Sequence, residues 1–286
     1  MKSAHGLAAL ALAALLAPGW AAAQSADEMI AKHIAARGGV AALNAIKTLK
    51  MTGSMRPGGF DVQLAYDEAI ARPGKVRIDA TIQGLTIVQA YDGTAGWQIQ
   101  PFQGRKDPET LSADDTKVLQ EEADFEGFLI DARAKGARIE SLGNVDVDGA
   151  PAWALRASLK NGDQLTYYLD PDAWLTVRVV ARQLLRGAET LTQTDYGDYE
   201  KVAGVYFPFE VVSGPEGSTV QQRITYDKIV ANEPVDPALF ALPRTAPAPT
   251  PSSPPVPTKA APQVPVPTAP SKPAAARPPA PHGASL

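Results

Sequence analysis

From Thr48 to Ile229 the chain alternates apolar and polar residues at period two, and this alternation constrains its fold more than any other feature. Leu49, Met51, Gly53 and Met55 alternate with Thr48, Lys50, Thr52 and Ser54. Phe60, Val62, Leu64 and Tyr66 alternate with Asp61, Gln63 and Ala65, and Val76, Ile78 and Ala80 with Arg77 and Asp79. Antiparallel strands with one buried face read this way. Pro57-Gly58-Gly59, Pro73-Gly74 and Asp92-Gly93-Thr94 mark the turns. Further strands are expected over 85–91, 95–100, 138–147, 152–159, 164–169, 176–185, 189–194, 205–212 and 219–229, with Asn161-Gly162 as a two-residue hairpin turn. A last turn over 237–240 closes the core.

Helical periodicity occurs in two places. Ser25 caps a helix carrying Asp27 and Glu28 in its first turn, with Met29, Ile30, His33 and Ile34 at helical spacing. Gly38-Gly39 stops it, and 40–46 adds a turn or two. Ser112 with Asp115 starts a longer helix whose face reads Val118, Leu119, Glu122, Phe125 and Leu129, with Gly136 as its stop. The fold class is therefore mainly β (α+β). About eleven strands in one domain must curl. The expected result is a single curved antiparallel sheet whose apolar face lines the inside, with the helices as lid or plug.

Composition divides the chain into three segments. Residues 1–23 carry Lys2, an apolar run and Ala21-Ala22-Ala23, the pattern of a secretory signal peptide cleaved between Ala23 and Gln24. Residues 245–286 hold 14 of the 26 prolines and no acidic or aromatic residue. Proline fixes φ and removes donors, so this segment is expected to be a disordered Pro/Ala-rich tail. It reads as a flexible tail or, more sharply, as a spacer toward an envelope protein or the cell wall. Residues 24–244 remain as the folded domain. Setting aside Lys2, Lys259, Lys272 and Arg277 takes the net charge from −4 to −8, which argues against nucleic acid as a partner. The absence of cysteine excludes disulfides, thiolate metal sites, a Cys nucleophile and an N-terminal lipid anchor on Cys.

Catalytic chemistry finds little support. His33 is the single histidine of the domain, and its apolar neighbours make it a core or boundary residue. Residues 144–149 read Asn-Val-Asp-Val-Asp-Gly, the opening of a calcium loop. Leu155 stands where a bidentate Glu is required, so the segment is read as a tight turn. Asp67, Glu68, Asp92, Asp170, Asp172, Asp195 and Asp198 are explained as turn and strand-end residues. The chain is not expected to be an enzyme, and no catalytic residue, metal or cofactor is assigned.

Several stretches nevertheless form an ordered set. They are 26–33 followed by Gly38-Gly39, Ala90-Tyr91-Asp92-Gly93-Thr94-Ala95-Gly96-Trp97, Ala123-Asp124-Phe125-Glu126-Gly127 with Ala134-Lys135-Gly136, and Thr166-Tyr167-Tyr168-Leu169-Asp170 with Leu175-Thr176-Val177. Tyr196-Gly197-Asp198-Tyr199 with Gly204-Val205-Tyr206-Phe207-Pro208, and 229–240 ending Pro234-Val235-Asp236-Pro237-Ala238-Leu239-Phe240, complete it. In order and spacing, over about residues 25–243, they resemble the periplasmic outer-membrane lipoprotein-sorting family with the LolA/LolB-like fold. The resemblance implies an unclosed β-barrel with a helical lid over an apolar cavity, carrying lipid-bearing cargo without chemistry.

The alternation nominates Phe60, Val62, Leu64, Ile78, Ile87, Trp97, Ile99, Trp153, Leu155, Tyr167, Ile224 and Tyr226 as cavity-lining residues, with Trp97 foremost on the ligand side. The expected function is a periplasmic binding or carrier protein for a lipid or acylated lipoprotein, exported, soluble and monomeric. The alternative is an envelope sensor or scaffold on the same fold, with the tail recruiting a partner.

Overall fold

The computed structural model describes residues 24–243. The export signal expected over residues 1–23, the cleavage expected between Ala23 and Gln24, and the tail expected over 245–286 lie outside the described residues.

Ser25 opens α1 (Ala26–Arg37) with a reciprocal capping box. Its hydroxyl accepts from Glu28 N, and the Glu28 carboxylate accepts from Ser25 N at 3.0 Å. Gly38, at φ 126°, ends the helix, and α2 (Val40–Ala45) follows. The strands then run in near-meander order: β1 (Thr48–Arg56), β2 (Leu64–Ala71), β3 (Lys75–Ile82), β4 (Leu85–Tyr91), β5 (Gly96–Gln100) and β6 (Arg105–Thr110). After α3 (Ala113–Glu122) come β7 (Arg138–Val147), β8 (Ala150–Ser158), β9 (Gln164–Leu169), β10 (Thr176–Leu185), β11 (Ala188–Val202), β12 (Val205–Pro215) and β13 (Gln222–Ala231).

All 13 strands form one antiparallel sheet in the order β6-β5-β4-β3-β2-β1-β13-β12-β11-β10-β9-β8-β7. It is an unclosed barrel: β6 and β7 are its edges and do not pair. The seam is β1 against β13, which joins the first strand to the last across a bulge between Thr52 and Gly53.

Register places one set of side chains on the inner face. Glu68 lies opposite Met51 and Ile78, Tyr66 opposite Gly53 and Ala80, and Ile224 opposite Met55 and Val211. The larger apolar cluster joins these strands to α2 and α3 through Leu43, Ile46, Leu119 and Ala123. A second cluster packs Leu155, Leu165, Tyr167 and Leu169 under Met29 of α1 and Leu129.

Five expectations need correction. The helix starting at Ser112 ends at Glu122, not near Gly136, because Arg37 donates to the Phe125 (3.0 Å) and Glu126 carbonyls and Gly127 takes φ 82°. The 124–136 stretch is consequently a chain of turns. Phe60 and Val62 precede β2, which begins only at Leu64. Strand β6 was not foreseen, since Pro108 argues against a strand interior. It is an edge strand, where a missing donor is tolerated. The Asn161-Gly162 loop is wider than two residues: Gly162 N donates to Leu159 O, and only Gly162 has positive φ. Of residues 144–149 the first four continue β7, and the tight turn is Asp148-Gly149 alone, with Gly149 N donating to Asp146 Oδ1 at 2.8 Å.

Candidate functional site

The inner face of the sheet gathers Leu64, Ile78, Ile87, Ile224 and Tyr226 in one cluster and Trp153, Leu155 and Tyr167 in the other. Part of this surface is left uncovered. Met55, Ile78, Ile82, Ile87, Phe209 and Val211 pack against the larger cluster yet remain only partly buried. They belong to β1, β3, β4 and β12, so the open stretch spans the centre of the sheet.

Trp97 and Ile99 are not part of it. Trp97 pairs with Ala90 and Ile99 with Val88, one residue out of phase with inward-facing Tyr91 and Ile87. Trp97 is 2% exposed on the outer face, under Phe240, and donates from Nε1 to the Phe240 carbonyl at 2.8 Å. Phe60 and Val62 also lie off the inner face, exposed in the loop after β1.

One end of the barrel carries most of the exposed large apolar residues. Phe60 sits between β1 and β2, Leu85 opens β4, Phe102 follows β5, Leu184 closes β10 and Val220 precedes β13. Antiparallel succession puts all of these connections at the same end. The α1–α2 junction lies at the other end, where a Cβ on Gly38 would meet the Gly204 carbonyl oxygen at 2.3 Å.

Helix α3 bridges the split between the edge strands. On one side Gln120 donates to Tyr91 Oη at 2.9 Å, and Thr116 packs on Gly96. On the other, Lys117 pairs with Asp163, Gln183 donates to Glu121 at 2.7 Å, and Arg186 N donates to Asp114 at 2.7 Å. Asp163 is almost fully buried. Burial pushes its carboxyl up, but bonds from Lys117, Asn161 and Gln183 outweigh this and hold it below its ordinary value.

The inner face is not wholly apolar. Glu68 is 3% exposed, and its Oε2 accepts from Tyr226 Oη (2.8 Å) and Tyr66 Oη (3.2 Å). Its Oε1 has no donor other than Glu122, the last residue of α3, which lies beside it. Burial, reinforced by Glu122, raises the Glu68 carboxyl well above the carboxylate range. Burial also raises Glu122, although its residue retains exposed surface. Glu122 thus stands at the margin of the packed interior, with surface open to solvent.

The sequence reading explained Glu68 as a strand-end residue; it stands in mid-strand. The signal was present: Glu68 occupies the apolar register of Leu64, Tyr66 and Ile70, and Glu122 the apolar face of its helix.

A cleft of about 300 Å³ lies on the outer face, where Asp148, Asp170, Arg178 and Asp195 stand among Val147, Ala150, Pro151, Ala152 and Val177. Arg178 bonds Asp195 at 2.5 Å and Asp148 at 2.7 Å, and Asp170 accepts from the backbone N of Asp172 and Ala173. Among the described residues no group of three or more His, Cys, Asp or Glu side chains is placed to hold a metal ion. No described helix is long and apolar enough to cross a membrane.

No protein-family model and no curated protein matches the chain by sequence. Solved structures do match it in shape. One is a LolA superfamily protein from Nitrosomonas europaea, with TM-score 0.52 and 10% identity, covering 77% of this chain and 98% of that one. A second is a putative outer membrane lipoprotein-sorting protein domain from Vibrio parahaemolyticus, with TM-score 0.50 and 9% identity, covering 74% and 94%. A third is a DUF1329 family protein from Desulfovibrio piger, with TM-score 0.53 and 10% identity, covering 75% and 96%. The chain has a LolA-like fold, as its motifs led one to expect.

Proposed function

We propose that this protein is an exported, periplasmic carrier for a lipid or acylated lipoprotein, holding an acyl chain against the inner face of its sheet and performing no chemistry. The observation that carries this reading is the partly uncovered apolar surface of Met55, Ile78, Ile82, Ile87, Phe209 and Val211 inside an unclosed barrel. A folded protein leaves such a surface open at a cost, and an acyl chain gains about 0.8 kcal/mol per buried CH₂ there. Cargo enters at the end rimmed by Phe60, Leu85, Phe102, Leu184 and Val220. The similarity in fold to the lipoprotein-sorting domain from Vibrio parahaemolyticus and the signal-like segment 1–23 support the same reading.

A neutral, environment-sensitive fluorophore bearing an acyl chain is expected to bind saturably. Ile78→Asp and Ile87→Asp should each weaken uptake at least about tenfold, since a charge on the apolar wall stays unpaired. Trp97→Phe, on the other face, should leave uptake unchanged. Absence of saturable uptake by the wild type overturns the carrier reading.

A further inference from the structure

An apolar wall accounts for acyl binding but not for Glu68. A carboxyl in the middle of that wall costs free energy unless something completes its hydrogen bonds. Tyr66 and Tyr226 both commit their hydroxyl hydrogens to Oε2, and Oε1 has no donor other than the acid beside it. The neighbouring strands place Met51 and Ile78 opposite, so the sheet provides no donor there. Beside the two phenols the fold brings Glu122 close, a second acid with exposed surface. Among the described residues neither carboxyl forms an ion pair with a Lys, Arg or His, and none is among the main influences on them. With no counter-ion the two raised carboxyls stay protonated and bonded to each other, and a cation placed between them would release that proton and let the pair ionise. What it lacks is a cationic donor group, and an ammonium supplies three N–H donors and the charge together.

We propose that Glu68 and Glu122 form the polar subsite of this interior and hold the ammonium group of a long-chain amine-bearing amphiphile. The proposal rests on the carrier reading and narrows its cargo: the head group is cationic, and an anionic one is disfavoured by two acids. The chain of such a ligand lies over Ile78, Ile82 and Ile87 toward the apolar rim. Glu68 is four residues from the start of β2, about 13 Å from that end.

Dodecylamine, dodecanol and dodecanoate share one chain and differ only in head group. Each, below its aggregation threshold, is titrated against the protein preloaded with the neutral acyl fluorophore. The wild type should release the fluorophore to dodecylamine at a concentration about tenfold lower than to dodecanol, with dodecanoate weakest. Glu68→Gln and Glu122→Gln should each erase the amine preference, so that dodecylamine and dodecanol act at about the same concentration. Either variant suffices if the other fails to fold by circular dichroism. Equal displacement by all three ligands overturns the proposal. So does an amine preference that survives in both variants, since that preference belongs to the acidic surface in general. Displacement by dodecanol without amine preference overturns this proposal alone, whereas failure of the fluorophore itself to bind overturns the carrier reading with it.

Discussion

Individual side chains carry roles that alternation alone does not separate. Trp97 and Ile87 both sit in apolar positions of adjacent strands, yet one faces Phe240 outside and the other the inner wall. His33 shows the same limit from the other side. It is 4% exposed, its Nδ1 donates to the Trp174 carbonyl at 2.9 Å, and burial, helped by Arg37, pushes its imidazole down to about 4. The fold thus prefers neutral His33. Its stabilisation is complete above about pH 6.5, the unfolded value, and declines as pH falls toward 4. The shift corresponds to about 3 kcal/mol. Urea unfolding at pH 7 and pH 5 should show wild-type stability falling more steeply than that of His33→Asn, which keeps a side-chain donor but does not titrate. Glu68 and Glu122 act with opposite sign, since their raised values favour the fold when protonated. The wild-type-minus-variant difference isolates the histidine. Equal slopes would remove His33 from the account.

At the scale of elements, α3 is held more by polar contacts at its two sides than by an apolar stripe. Leu119 is its single buried residue. Asp163, buried in the β8–β9 loop, is its firmest point of attachment. Lys117→Met keeps the helix propensity and the aliphatic stem but leaves that carboxyl with only Asn161 and Gln183. Loss of about 2–3 kcal/mol is expected. Amide hydrogen exchange over 113–122 should accelerate more than in β1–β3, and uniform protection loss would contradict α3 as a separately held strap. The sequence located the start of α3 correctly because capping is local: Ser112 accepts from Asp115 N. Its end was not legible. The turns that follow Glu122 are held by Arg37, some 90 residues earlier in the chain, which binds the Phe125 and Glu126 carbonyls.

For the whole molecule the decisive contact is the β1–β13 seam, which turns a meander into a curled barrel. Gly53 stands at its bulge, where a Cβ would meet the Thr225 carbonyl oxygen at 2.0 Å and Tyr226 Cα at 2.8 Å. Gly53→Ala should therefore cost about 3 kcal/mol or more, read as a lowered denaturant midpoint, whereas Gly143→Ala, with no neighbour in that space, is expected to cost less. Comparable losses at the two sites would assign the effect to backbone freedom rather than to the seam.

Period-two alternation, turn glycines and helix caps depend on neighbours in sequence, and they determined nearly every strand, both helix starts and the curled antiparallel class. Which strand is first beside last, which of two apolar faces meets the interior, and which acids share a wall depend on residues far apart in the chain. Trp97 lies outside because the segment ending at Phe240 returns to cover it. Glu68 and Glu122 meet because α3 crosses the gap that β6 and β7 leave open. Local patterning sets the elements; closure of the sheet and the crossing of the helix place the polar subsite, since only long-range packing brings β2, β13 and the end of α3 together.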